Sequence, residues 1–299
     1  MLDYMALAAV AAVAREGAFD RAAATLGVTP SAVSQRVKSL EERMGVALIA
    51  RGNPCRPTAI GARLCAHVEQ VALLEGDMIG DLPGIGGTVS APTTIRVAVN
   101  SDSAATWFPT AAALFYSETG CLLDLVLDDE ANTAERLRSG DVVAAVTADP
   151  SPVVGCKSHL LGAMEYIAVA SPSFMRNHFL DGVTSDRLRH APIIRFDRRD
   201  ELQARWAQEA WAIKLVSPTH WTPSTAGMLE MTAAGLGWSM APASTVADHI
   251  ADRRLSELPP NQRLWIPLYW QRSRLVSNVL DRLTRSVRGA AEIEFASVR

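Results

Sequence analysis

The 299-residue sequence is poor in the groups that most enzymes and exported proteins depend on. Cysteine is scarce: Cys55, Cys65, Cys121 and Cys156 show neither metal-ligand spacing nor a disulfide framework, so a reducing, cytoplasmic setting is expected. The six histidines (His67, His159, His178, His190, His220, His249) are scattered singly. There is no glycine-rich phosphate loop, no metal-ligand cluster and no nucleophile elbow. Catalysis is therefore not expected, and no metal or organic cofactor is called for. No apolar run is long enough to span a membrane. The apolar opening, Leu2 to Ala14, has no basic residue before it, carries Asp3 and flows into Arg15-Glu16-Gly17, so it reads as a core helix rather than an export signal.

Charge of one sign is lacking overall, with a formal net of −3, but it is unevenly distributed. From Pro30 to Arg63 six basic residues (Arg36, Lys38, Arg43, Arg51, Arg56, Arg63) face two acidic ones (Glu41, Glu42), so the rest of the chain is acidic. A basic segment on an acidic body predicts that one end meets a polyanion. The segment's setting agrees. Tyr4, Leu7, Val10 and Ala14 recur at helical spacing up to Gly17; a second helix starts near Asp20 and stops at Gly27. Thr29-Pro30-Ser31 is a cap followed by a first-turn proline, and opens a third helix reaching about Gly45. One face of that helix is Val33, Val37, Leu40 and Met44. The other carries Ser31, Ser34, Gln35 and Lys38, with Arg36 on the flank. Short hydroxyls and an amide at a helix start reach base edges, while lysine and arginine neutralise phosphates. A solvated bundle face would look similar, but the preceding helix and tight glycine turn have helix-turn-helix proportions.

The run Phe19-Asp20-Arg21-Ala22-Ala23-Ala24-Thr25-Leu26-Gly27-Val28-Thr29-Pro30-Ser31-Ala32-Val33-Ser34-Gln35-Arg36-Val37-Lys38-Ser39-Leu40-Glu41 resembles the winged helix-turn-helix of LysR-type transcriptional regulators. Gly45, Leu48, Arg51, Thr58 and Gly61 continue the likeness. The resemblance implies a wing over Arg51 to Pro57 and a DNA-binding set of Arg21, Thr29, Pro30, Ser31, Ser34, Gln35, Arg36, Lys38, Arg51 and Arg56. Double-stranded promoter DNA and RNA polymerase are the partners it implies.

Thr58 can cap a long helix reaching about Asp81. Ile60, Leu64, His67, Val71, Leu74 and Met78 alternate at steps of four and three, the seam of a helix that pairs with a second helix. A homodimer is expected, and the resemblance extends this to tetramers. Leu82 to Gly87, running on through Ser90 and Pro92, reads as a hinge. Beyond it strands and helices alternate: Ile95–Val99, a helix from about Thr106, Leu122–Leu127, helical Thr133–Arg138, then Val142–Thr147. That order predicts a mostly parallel α/β sheet with ligands at the carboxyl ends of strands. The expected divisions are residues 1–58 (winged helix-turn-helix), 59–81 (linker helix), 82–93 (hinge) and 94–299 (effector domain).

Residues 98–107, Glu135-Arg136-Leu137-Arg138-Ser139-Gly140, Ala191-Pro192, Phe196-Asp197 and Leu268-Tyr269-Trp270 resemble one branch of that family, the ArgP/LysG regulators. These respond to lysine and arginine and control a basic amino-acid exporter. The resemblance implies a periplasmic-binding-protein-like fold of two α/β subdomains, here 94–165 with 267–299 and 166–266, with the effector between them. A cationic amino acid needs hydroxyls and amides for its carboxylate and an enclosed acid for its charge. Asn100, Ser101, Asp102, Ser103, Thr106, Asp128, Glu130, Ser224 and Thr225 are the candidates. At Ala226 the chain departs from some relatives, which carry a glutamate there, leaving lysine, arginine and an uncharged amino acid as alternative effectors. A different small molecule, a solute receptor, or relaxed DNA binding in replication control are the competing functions.

Overall fold

The computed structural model describes residues 3–80, 93–127 and 130–296. Three helices open the chain: α1 (Tyr4–Glu16), α2 (Phe19–Leu26) and α3 (Pro30–Met44). Strands β1 (Ile49–Ala50) and β2 (Arg56–Pro57) follow, then the long α4 (Ala59–Gly80). The next stretch runs β3 (Thr94–Val99), α5 (Ser101–Ala105), α6 (Phe108–Thr119), β4 (Leu122–Leu127), α7 (Glu130–Ser139) and β5 (Ala144–Thr147). It continues through β6 (Cys156–Ala170), α8 (Pro172–His178), α9 (Ser185–His190), β7 (Ile193–Arg195), α10 (Leu202–Trp211) and β8 (Thr219–Trp221). The last elements are α11 (Thr225–Ala233), β9 (Ser239–Pro242), α12 (Ala243–Ala251), β10 (Ser256–Glu257), β11 (Arg263–Ser273) and α13 (Asn278–Glu294).

The opening helices form because each boundary has a local cause. The Asp3 carboxylate accepts from the Met5 and Ala6 amides at the head of α1, and Thr29 Oγ1 accepts from Ala32 N at the head of α3. Their apolar stripes bury Leu7, Val10, Val13, Ala22, Ala23, Val33, Val37 and Leu40 in one core with Leu48 and Ile49. Tyr4 and Met44, expected on inner faces, are exposed, because each is a terminal residue of its helix. β1 and β2 pair antiparallel, Ile49 with Pro57 and Ala50 with Arg56, and make the wing.

The chain divides into two compact units: Met1–Val99 with Ala112–His159 and Trp270–Val287, and Asn100–Ala111 with Leu160–Tyr269 and Arg288–Arg299. In the first, β3 lies between β4 and β5, parallel to both. In the second, β6 pairs antiparallel with β9 and β10, and β7 pairs parallel with β8. Residues 100–111, 160–165, 267–269 and 288–299, assigned above to the first subdomain, group with the second unit. The reason is packing: the Trp107 ring meets Phe295 at 5.8 Å, and Phe295 lies against Gly162.

Two expectations are corrected. The helix placed from about Thr106 begins at Ser101, breaks at Thr106 and restarts at Phe108. The seam on α4 is not a uniformly free stripe: Leu64 packs on the opening core and the His67 ring faces Tyr4, while Ile60, Leu74 and Met78 are exposed. The expected hinge lies outside the described residues except for Thr93.

Candidate functional site

The reading head is built on α3. Its buried residues anchor it against α1 and α2, which leaves Ser31, Gln35 and Lys38 exposed and Ser34 and Arg36 half-buried. Thr29 and Ser31 share a 3.0 Å hydroxyl contact at the helix start, and Pro30 supplies the first-turn residue. Lys38 is paired with Glu42 at 3.6 Å, both well exposed. Arg21 donates to the carbonyl of Glu16. Arg51 and Arg56 are exposed on the wing, and the Arg51 guanidinium lies 5.6 Å from the centre of the Phe19 ring. Sequence reasoning missed the brace between reading helix and wing. The Glu41 carboxylate accepts from the amides of Leu48 (2.7 Å) and Ile49 (3.1 Å), orienting one against the other.

The second candidate site lies wholly in the second unit. Asn100 caps α5, its side chain accepting from Ser103 N at 2.7 Å. Ser101 follows as the first helical residue. Ser103 is buried and accepts from Trp107 Nε1 (3.1 Å), while the Thr106 hydroxyl donates to the Asp102 carbonyl (2.7 Å). These two hydroxyls are thus engaged in holding α5. Asp102 is the distinctive group: Tyr166 Oη donates to its carboxylate at 2.5 Å. Burial pushes its carboxyl up from the ordinary value; the Tyr166 hydroxyl opposes that rise and the nearby Asp200 charge adds to it.

Asp200 is itself fixed. It accepts from Phe196 N (3.0 Å), Leu202 N (3.1 Å) and Gln203 Nε2 (3.3 Å), just beyond the carboxyl end of β7. β8 runs parallel beside it and leads to Ser224, which caps α11 by accepting from Gly227 N (3.1 Å). Thr225 opens α11, Ala226 is exposed on its first turn, and α11 packs on α5. Tyr166 and Asp200 were not foreseen; the nearest residues singled out in the sequence were Phe196 and Asp197, just past the end of β7. Asp128 lies outside the described residues, as does the side chain of Glu130. An enclosed carboxylate with a second carboxylate nearby favours a cation, because each raises the cost of the other's charge until one is paired. Among the described residues no group of histidine, cysteine and acids could hold a metal ion.

A winged reading head joined by a long helix to an α/β half defines a DNA-binding regulator that answers to a small molecule. The chain belongs to the LysR family. Residues 5–62 match the bacterial regulatory helix-turn-helix of the LysR family, and residues 90–292 match the LysR substrate-binding domain. It is 42% identical to the transcriptional regulator ArgP of Pseudomonas aeruginosa, over 95% of this chain and 94% of that one. The crystal structure of ArgP from Mycobacterium tuberculosis superposes with a TM-score of 0.78 at 41% identity, covering 97% of this chain and 98% of that one. Full-length LysG of Corynebacterium glutamicum with bound effector Arg gives 0.69 at 34% identity, over 98% and 99%.

Proposed function

We propose that this regulator senses lysine or arginine and controls the gene of a basic amino-acid exporter. It acts in the cytoplasm without a catalytic step, as a homodimer or a tetramer, and engages RNA polymerase at the promoter. The division into 1–58, 59–81, 82–93 and 94–299 follows the same reading. The observation that carries it is the Asp102 carboxylate, enclosed, held by Tyr166 and near Asp200. An ammonium or guanidinium group would pair with these two carboxylates, and Ser101 and Ser224 stand at helix starts suited to a carboxylate. The likeness to ArgP and LysG supports the ligand class. On the DNA side, Ser31, Ser34 and Gln35 read bases, while Lys38, Arg36, Arg51 and Arg56 meet phosphates.

Calorimetry with lysine, arginine and norleucine tests the ligand. The cationic amino acids should bind at least about tenfold more tightly than norleucine, worth about 1.4 kcal/mol. Asp102→Asn should erase most of that preference. Uptake of neither lysine nor arginine at millimolar concentration would overturn the effector assignment and leave DNA binding standing.

A further inference from the structure

The linker helix α4 carries two stripes. The exposed seam runs through Ile60, Leu74 and Met78, whereas Ala66, Glu69, Gln70, Leu73 and Asp77 recur at helical spacing on another side, with Ala66 and Leu73 buried. What covers this second stripe belongs to the same compact unit: the part of the sensing half built from β3, β4, α7 and the start of α13. A Cβ on Gly140, in the turn after α7 with φ +80°, would stand 2.8 Å from Ala66 Cβ and 3.2 Å from Gln70 Nε2, so α4 approaches that turn at backbone range. Further along, the Asp77 carboxylate accepts from Asn278 N (2.8 Å) and Val279 N (3.1 Å), giving amides of the first turn of α13 the acceptors that their own helix cannot.

Glu69 stands between these two anchors, and the charges around it balance without it. On β3, Arg96 meets Asp124 of β4 at 3.2 Å and Asp141 at 2.8 Å, and Arg136 of α7 also pairs with Asp141. On α1, Arg15 lies 4.0 Å from Glu16. Cys65, one turn back on α4, is a neutral thiol: burial, then Glu69 and Asp141, push it up to about 12. Two arginines thus answer two aspartates on the sensing side, and one answers one glutamate on the side of the reading head. A negative charge on Glu69 would be the excess one in a half-buried seam, where an unanswered charge is costly. The docked helix therefore accommodates Glu69 as the neutral acid.

We propose that the second stripe is a pH-gated latch: α4 lies against the sensing half while Glu69 carries its proton, and loss of that proton unseats the linker helix and frees the reading head to change its angle. The gate needs no effector, so it stands apart from the reading of the ligand site. In the docked chain burial raises Glu69 to about 7, with Arg96 and Arg15 opposing the rise and Asp141 and Asp124 adding to it. An undocked Glu69 returns to about 4.5, so docking weakens about tenfold per pH unit between those values.

Hydrogen exchange on the full-length protein, corrected for the intrinsic effect of pH, tests this. From pH 5.5 to 7.5 protection at Asn278 and Val279 should fall about twentyfold, the change that a proton held at about 7 rather than 4.5 supplies. It should stay well below the protection of Val37 and Leu40 in the core of the reading head, because the opening is local. Glu69→Gln, which keeps the shape without the charge, should be at least as protected at pH 7.5 as the parent at pH 5.5. Energy transfer between dyes on the wing and on α7 should fall over the same range in the parent and stay constant in Glu69→Gln. Protection in the parent that ignores pH, or a Glu69→Gln protein that follows the parent, would overturn the latch. So would equal protection at Asn278 and Val37, which would mean global unfolding, or constant energy transfer while protection falls.

Discussion

Gly61 is where the reading head and linker helix are most sensitive to a single atom. A Cβ there would stand 2.0 Å from the carbonyl oxygen of Leu48 and 3.0 Å from its carbon, where real Cβ contacts are essentially never below 3.0 Å. About 1 Å of separation must open between the wing and the first turn of α4 for Gly61→Ala to fit. The atoms in the way are backbone and already engaged: Leu48 O accepts from Thr58 N at 2.9 Å, and Thr58 Oγ1 accepts from Gly61 N at 3.1 Å. Overpacking of this kind costs about 1–3 kcal/mol, and the weakened Thr58–Leu48 bond about 1 kcal/mol more. Against this, alanine gains about 1 kcal/mol over glycine within a helix. The net expectation is destabilisation by about 2 kcal/mol, a roughly thirtyfold change in the unfolding constant. Urea denaturation should show the midpoint falling at unchanged slope, and fluorescence anisotropy should show weaker operator binding as the wing shifts. A midpoint equal to or above the parent's, with native DNA affinity, would refute the close approach.

Gln35→Ala should cost roughly 1–3 kcal/mol at the specific site with little loss on random DNA, measured by competition anisotropy. Lys38→Ala should weaken all sequences alike and reduce the salt slope by about one unit, its bond to Glu42 being exposed and easily exchanged for phosphate. Leu74→Asp, on the exposed seam of α4, should dissociate the dimer; a variant still dimeric by light scattering at low micromolar concentration would move the interface elsewhere. Glu69 gives the pH test. Burial raises it to about 7, with Asp141 and Asp124 adding to the rise and Arg96 and Arg15 opposing it. The folded chain therefore holds this proton more tightly than the unfolded chain, and stability falls as pH rises from about 4.5 to about 7. Glu69→Gln should flatten that fall and be the more stable protein at pH 8 by about 3 kcal/mol, by urea unfolding; an unchanged pH profile would place Glu69 in water.

The helices of the reading head were legible because their causes are local. Asp3, Thr29 and Thr58 cap within three residues, Gly17, Gly27 and Gly45 close helices α1–α3, and the apolar positions repeat at helical spacing. Local signals misled where a short helix interrupts the pattern. Ser101 to Thr106 looked like one loop before one helix, whereas Asn100 caps a five-residue helix of its own. The candidate ligand site was half legible. Asp102 announced itself as an acid after a strand, but its partner Tyr166 is 64 residues away and Asp200 comes from beyond β7. Nothing in the periodicity of either segment brings them together; only the fold does. Burial likewise reassigns Ser103, a hydroxyl that looks available in the sequence and is spent on Trp107 in the structure.

The linker helix shows the same limit most sharply, because its two stripes differ in how far away their partners lie. The seam through Ile60, Leu74 and Met78 advertises itself by its 3.5-residue repeat, the pattern that a symmetric partner helix would impose. The second stripe faces partners of three different kinds: a glycine turn at Gly140, an arginine on β3 and the bare amides opening α13. Each demands a different residue, so Ala66, Glu69 and Asp77 share a face without sharing a pattern. A helix that must satisfy one identical neighbour writes a repeat, and one that must satisfy several unlike neighbours writes none. The stripe that holds the helix to its own sensing half is therefore the one that sequence periodicity leaves out.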